Sequence, residues 1–190
     1  MDLSRRALGG ISTAAILTAA GLAACTTTTT NGVTTVTINT KTVDSYAQVG
    51  ISAVATMLSI AAVASVIGAP AIVIINAAST ALAGTLKALD TATSGSLTFT
   101  YDGTGAKAAF DSVLADVGTV LTDMQESVAP IEAKLSSADA STVATVINAV
   151  ATAYNLLQSL ISSVSSVKAP ATAPMSEAAM FRAVGLPAGH

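Results

Sequence analysis

Few residues of this chain can do chemistry. It has one cysteine, Cys25, and one histidine, His190, which is the last residue. A Ser-His-Asp or Cys-His device needs an imidazole held rigidly by its neighbours, and a chain terminus does not hold one. A zinc site needs histidine, cysteine or carboxylates converging on one point, and the sequence clusters none. Asp116, Asp123 and Glu126 recur on one helix face, a spacing suited to weak Ca²⁺ binding but more ordinarily to an acidic, solvated face. Gly103-x-Gly105 is too short for a phosphate loop and carries no Lys-Ser/Thr. The inventory therefore points away from an enzyme, a metal site or a cofactor, and leaves Cys25 as the residue to explain.

What surrounds Cys25 explains it. Met1 to Arg6 carries Arg5 and Arg6; an apolar run from Ala7 to Ala20 follows; Leu22-Ala23-Ala24-Cys25 comes next, then five threonines, Thr26 to Thr30. A basic start, an apolar core of about 7–15 residues and a small-residue cleavage site make a secretory signal. The run is short of the ~20 strongly apolar residues of a permanent span. Leu22-Ala23-Ala24-Cys25 resembles the lipobox of bacterial lipoproteins. The resemblance covers about the first 25 residues and is silent on the rest. It implies cleavage before Cys25 and a diacylglyceryl group on its sulfur, with two or three acyl chains of the palmitate kind in all. One acyl chain holds a protein only marginally, at about 0.8 kcal/mol per buried CH₂, but two or three hold it well. Ser4-Arg5-Arg6-Ala7-Leu8 also resembles a twin-arginine export signal; the general secretion route is the other reading. Thr26 is not the aspartate that, in enterobacterial lipoproteins, favours inner-membrane retention. The resemblance therefore favours a periplasm-facing outer-membrane anchor.

Removing residues 1–24 from the 190 leaves 166, one domain's worth. Without Asp2, Arg5 and Arg6 the remainder holds 6 basic and 10 acidic side chains, a net charge of −4. No Lys/Arg cluster is present, so nucleic-acid binding lacks its electrostatic footprint. Charged residues are 10% of the chain and aromatics 3%, with no tryptophan. About 25% charge is ordinary for a soluble domain, so small apolar and hydroxyl side chains make up the difference here.

The spacing predicts a mainly α fold: a four-helix bundle with a short two-stranded antiparallel β element. Residues 25–32 read as a lipidated cysteine and a polar tether, 33–167 as the domain, and 168–190 as a Pro/Ala-rich tail. The β-branched run Val33 to Thr40 predicts a strand. Ser45-x-x-Gln48 looks like a capping box opening a helix over 45–67, closed by Gly68-Ala69-Pro70. A second helix over 70–91 carries the stripe Ile72, Ile75, Ser79, Leu82, Leu86 and Leu89. Residues 96–101 alternate, with Leu97, Phe99 and Tyr101 on one face. A third helix over 105–136 has a heptad-type seam, Phe110, Leu114, Val117, Leu121, Met124, Val128, Ile131 and Leu135, with a kink due at Pro130. A fourth over 139–167, capped by Ser137 or Asp139, repeats the rule with Val143, Ile147, Val150, Tyr154, Leu157, Ile161 and Val164. Met180 and Phe181 read as a small cluster covering the core.

No charged residue lies between Asp44 and Lys87. Summed on an insertion scale, the bulky residues of 45–67 give roughly −2 to −5 kcal/mol, from which Gln48 and the hydroxyls subtract. That is marginal for a span, and favours two helices central to a bundle. The function expected is therefore a lipid-anchored, non-enzymatic envelope component, structural, adaptor or binding, held to the membrane through Cys25 and open to an envelope protein partner. The alternative is a membrane-active or pore-forming protein whose uncharged hairpin 45–86 enters a bilayer.

Overall fold

The computed structural model describes residues 25–30, 33–102, 104–162 and 175–187. Within them the protein is mainly helical, with a small antiparallel sheet. The expected signal segment, with Arg5, Arg6, Leu22, Ala23 and Ala24, lies outside the described residues. So do residues 163–174, with Val164 and the end of the expected helix 139–167, and His190.

β-branched residues with a period of two build the sheet. Strand β2, Val33–Asn39, buries Val36 and Ile38; β3, Thr98–Thr100, buries Phe99. They pair antiparallel, Ile38 opposite Phe99, and the Tyr101 N–H donates to the Val36 carbonyl at 2.9 Å. The sheet has a third strand where two were expected. Cys25–Thr30 forms β1, antiparallel to β2 with Cys25 opposite Ile38 and Thr30 opposite Val33. Five threonines make a poor core strand but a good edge strand: each is β-branched, and all five stand exposed. Leu97 does not share the face of Phe99 and Tyr101; it precedes β3 in a bend and is 60% exposed.

The first helix starts earlier than its Ser45 capping box. The strand β2 runs straight into α1, Thr40–Ser59, because Asn39 caps it, its Oδ1 accepting from the Lys41 and Thr42 N–H groups. The Thr40 N–H and hydroxyl donate to the carbonyls of Leu97 and Ser96, tying the helix start to β3. The expected continuous helix also breaks. At Ile60 the chain leaves helical geometry and α2, Ala61–Ile67, sets off at 88° to α1. Gly68, at φ +82°, turns the chain into α3, Ala69–Ala92, with Pro70 in its first turn. Helix α4, Thr104–Val128, stops before Pro130 instead of kinking through it; a 3₁₀ turn, Glu132–Lys134, follows. Ser136, one residue before the expected cap, caps α5, Ser137–Leu160, accepting from the Asp139 N–H and donating to its carboxylate. The short α6, Glu177–Ala183, is capped by Ser176.

Helix α1 packs on α3, α4, α5 and α6; α3 packs on α1 and α4; α5 packs on α1, α4 and α6. The sheet sits at one end, the base, with the start of α1 and the end of α3. The crosswise α2 lies at the far end, about 30 Å away by the length of a 20-residue helix. The buried arcs are wider than the expected seams and rotated from them. Val113 and Val120 are buried while Leu114 and Leu121 are half-buried; Val146 and Ala153 are buried while Ile147 and Tyr154 are half-buried. A helix wedged between two neighbours buries a broad face, not a narrow a/d stripe.

Candidate functional site

Cys25 opens the sheet at the base. It is half-buried against the core, beside Tyr46. Burial pushes its thiol up, which disfavours the thiolate. A nucleophilic or redox cysteine needs the opposite shift, so this environment does not activate the sulfur. Tyr46 stacks on Phe181 of α6 with ring centroids 6.4 Å apart. Burial first, then the Glu177 carboxylate and Cys25, push the Tyr46 phenol up to about 12. Cys25, Tyr46 and α6 thus form one corner of the base. Met180 and Phe181 are buried there as part of the core.

A second polar group joins the sheet to α4. The Tyr101 hydroxyl donates to the Asp111 carboxylate at 2.7 Å, Lys107 pairs with the same carboxylate at 2.6 Å, and the Lys107 ammonium lies 4.9 Å from the Tyr101 ring centre. Burial, then the Asp111 hydrogen bond, hold the Tyr101 phenol above its ordinary value. The neutral phenol is thereby favoured, and the group reads as a clasp between β3 and α4.

Two open grooves mark the surface. One, of about 330 Å³, lies between the start of α1 and the end of α3, with Lys41, Asp44, Lys87 and Asp90 around Leu86 and Leu89. The other, of about 440 Å³, lies between α4 and α5, with Asp123 and Tyr154 on its walls. Among the described residues no hydrogen bond or ion pair joins a hydroxyl or lysine to a carboxylate in either groove. Asp116 and Asp123 are half-buried and Glu126 is exposed; among the described residues no three acidic, histidine or cysteine side chains converge as a metal-holding group.

The feature missed from sequence is the outer side of α3. The charge-free run was expected to be central, and α1 is. Helix α3 is not: it is long and apolar enough to cross a membrane, yet only 17% of its most apolar window is buried. Val73 and Ile74 stand 66% and 53% exposed. The α5 helix passes the same test with 44% of its window buried, and α1 with α2 passes only as a pair bent by 88°. The sequence signal was the stripe Ile72 to Leu89, which leaves the opposite face, Val73, Ala77, Thr80 and Gly84, with nothing to cover.

No protein-family model, curated protein or solved structure matches the chain.

Proposed function

We propose that the chain is a lipid-anchored protein of the bacterial envelope, without enzymatic activity, serving as a structural, adaptor or binding component. Leu22-Ala23-Ala24-Cys25, set after a basic start and an apolar run, carries this reading. The lipid attaches at Cys25 and the anchor faces the periplasm, with the outer membrane favoured. Because β1 begins at Cys25, almost no tether separates lipid from fold, so the base lies against the membrane and α2 stands about 30 Å above it. Helices α1, α3, α4 and α5 act as a four-helix bundle that presents its sides to an envelope partner. The unactivated thiol of Cys25 fits a modified anchor better than a reagent.

The test is fractionation of wild type against a Cys25→Ser variant exported by a cleavable, non-lipid signal. Wild type should sit in the membrane fraction, and the variant should be soluble and helical. A variant that stays in the membrane after an alkaline wash would replace this reading with insertion of the helical hairpin.

A further inference from the structure

Helix α6 is held differently from the helices of the bundle. Its seven residues are fewer than the ~12–15 that an isolated helix needs in water, so it is helical only while docked. Helix α2 is as short, but it is fixed at both ends by the helices it joins. The hydrogen bonds of α6 close on α6 itself. The Ser176 hydroxyl accepts from the Ala179 N–H, the Leu186 N–H donates to the Phe181 carbonyl, and Arg182 Nε donates to the Ala178 carbonyl. Among the described residues no backbone hydrogen bond and no salt bridge joins α6 to another element. Elsewhere such ties exist: Thr40 bonds the start of α1 to the segment before β3, and Tyr101 bonds the sheet to α4.

We propose that α6 is a strap, which lifts off the corner of α1 and α5 and docks again as one unit while the four long helices and the sheet stay folded. What attaches it is one apolar face, Met180, Phe181 and Val184, all buried, with Phe181 stacked on Tyr46. Glu177 beside the Tyr46 phenol adds a polar contact. The strap packs on α5 and α1, whereas α1, α3, α4 and α5 pack on one another directly, so lifting it breaks none of their mutual contacts. It follows every other described element in the chain, so it can leave without unthreading them. A unit attached by few contacts opens at a lower free energy than the molecule as a whole. Lifting it bares the corner where Cys25 and Tyr46 sit, and exposes the apolar face of α6 at the same time. None of these contacts depends on a lipid at Cys25.

Two buried thiols in the Cys25→Ser protein read the opening. Met180→Cys places one under the strap and Val150→Cys places one inside α5; both positions are fully buried. A water-soluble disulfide reagent, added over a series of urea concentrations below the unfolding transition, labels each thiol only when it is exposed. Without urea, Met180→Cys should label about 100-fold faster than Val150→Cys, yet far more slowly than a free thiol. Its rate should barely change with urea, because lifting α6 exposes little surface, whereas Val150→Cys should follow the steep dependence of global unfolding. Met180→Cys trims a contact of the strap, so hydrogen exchange of the Cys25→Ser protein without it gives the second reading, and decides where the two disagree. The amides of Met180, Val184 and Leu186, each bonded within α6, should exchange together, about 100-fold faster than those in the middle of α5. The strap is wrong if both thiols label at one rate with one urea slope, or if the amides of α6 and α5 exchange at a common rate. It is equally wrong if Met180→Cys labels like a free thiol and the three amides show no protection, since α6 would then not be docked at all.

Discussion

Single residues in this protein are decided by how much room a methyl group has. Glycine is the same residue at 50 and at 84, yet the two sites predict opposite outcomes. Gly50→Ala drives a Cβ to 2.9 Å from Leu82, itself fully buried, so α1 and α3 must part or Leu82 must leave its rotamer. Overpacking of this kind costs about 1–3 kcal/mol. Gly84→Ala meets open space and removes a helix penalty, for a gain of about 0.5–1 kcal/mol. Urea unfolding of the Cys25→Ser form carrying each change should move the midpoint down for Gly50→Ala and up for Gly84→Ala. Equal shifts in one direction would mean that α1 and α3 do not touch at Leu82. Neither glycine could be sorted from sequence, because periodicity places both in helices and says nothing about what faces them.

At the scale of elements, what could be read from the chain was the kind of element, and what could not was where each one starts and which side it hides. The β-branched run at Val33 and the apolar stripes of the long helices carry their own periods, so strand and helix follow from local chemistry. The start of α1 does not, since two capping signals compete. Ser45-x-x-Gln48 is the better local motif, but Asn39 sits where β2 ends and where Thr40 can bond to Leu97 and Ser96. Tertiary bonds to a segment over fifty residues away settle the choice. Asn39→Ala should therefore cost about 1 kcal/mol, the usual value of a lost N-cap. Ser45→Ala, inside the helix, should cost nothing or slightly stabilise. The pair of urea midpoints distinguishes the two caps; a larger loss for Ser45→Ala would put the helix start back at residue 45. The strand Cys25–Thr30 escaped reading for a related reason: its threonines show no apolar alternation, because an edge strand exposed on both faces needs none.

For the whole molecule, the question is what closes the base, where Cys25, the sheet and α6 meet. Composition says little here, since 10% charge leaves few ion pairs to hold elements together. Among the described residues the one salt bridge, Lys107–Asp111, is exposed and contributes little. Burial of aromatic and aliphatic groups therefore carries the closure: Met180, Phe181 and Val184 are all buried, and Phe181 stacks on Tyr46. Tyr46 reports on that closure through its proton. Its phenol is pushed up to about 12 from an ordinary 10, by burial and then by Glu177, so the fold favours the neutral form. The resulting stability is fully present below pH 10 and is lost as pH rises from 10 through 12. Two units correspond to about 2–3 kcal/mol. Denaturant unfolding of the Cys25→Ser protein and its Tyr46→Phe derivative should give parallel stabilities up to pH 9. By pH 12 the tyrosine form should have lost about 2 kcal/mol more. Deleting residues 175–190 removes the cover and Glu177 together, and should return the Tyr46 absorbance titration towards 10. If that titration stays near 12 without α6, the shift belongs to α1 and the sheet alone, and α6 is not what seals the base.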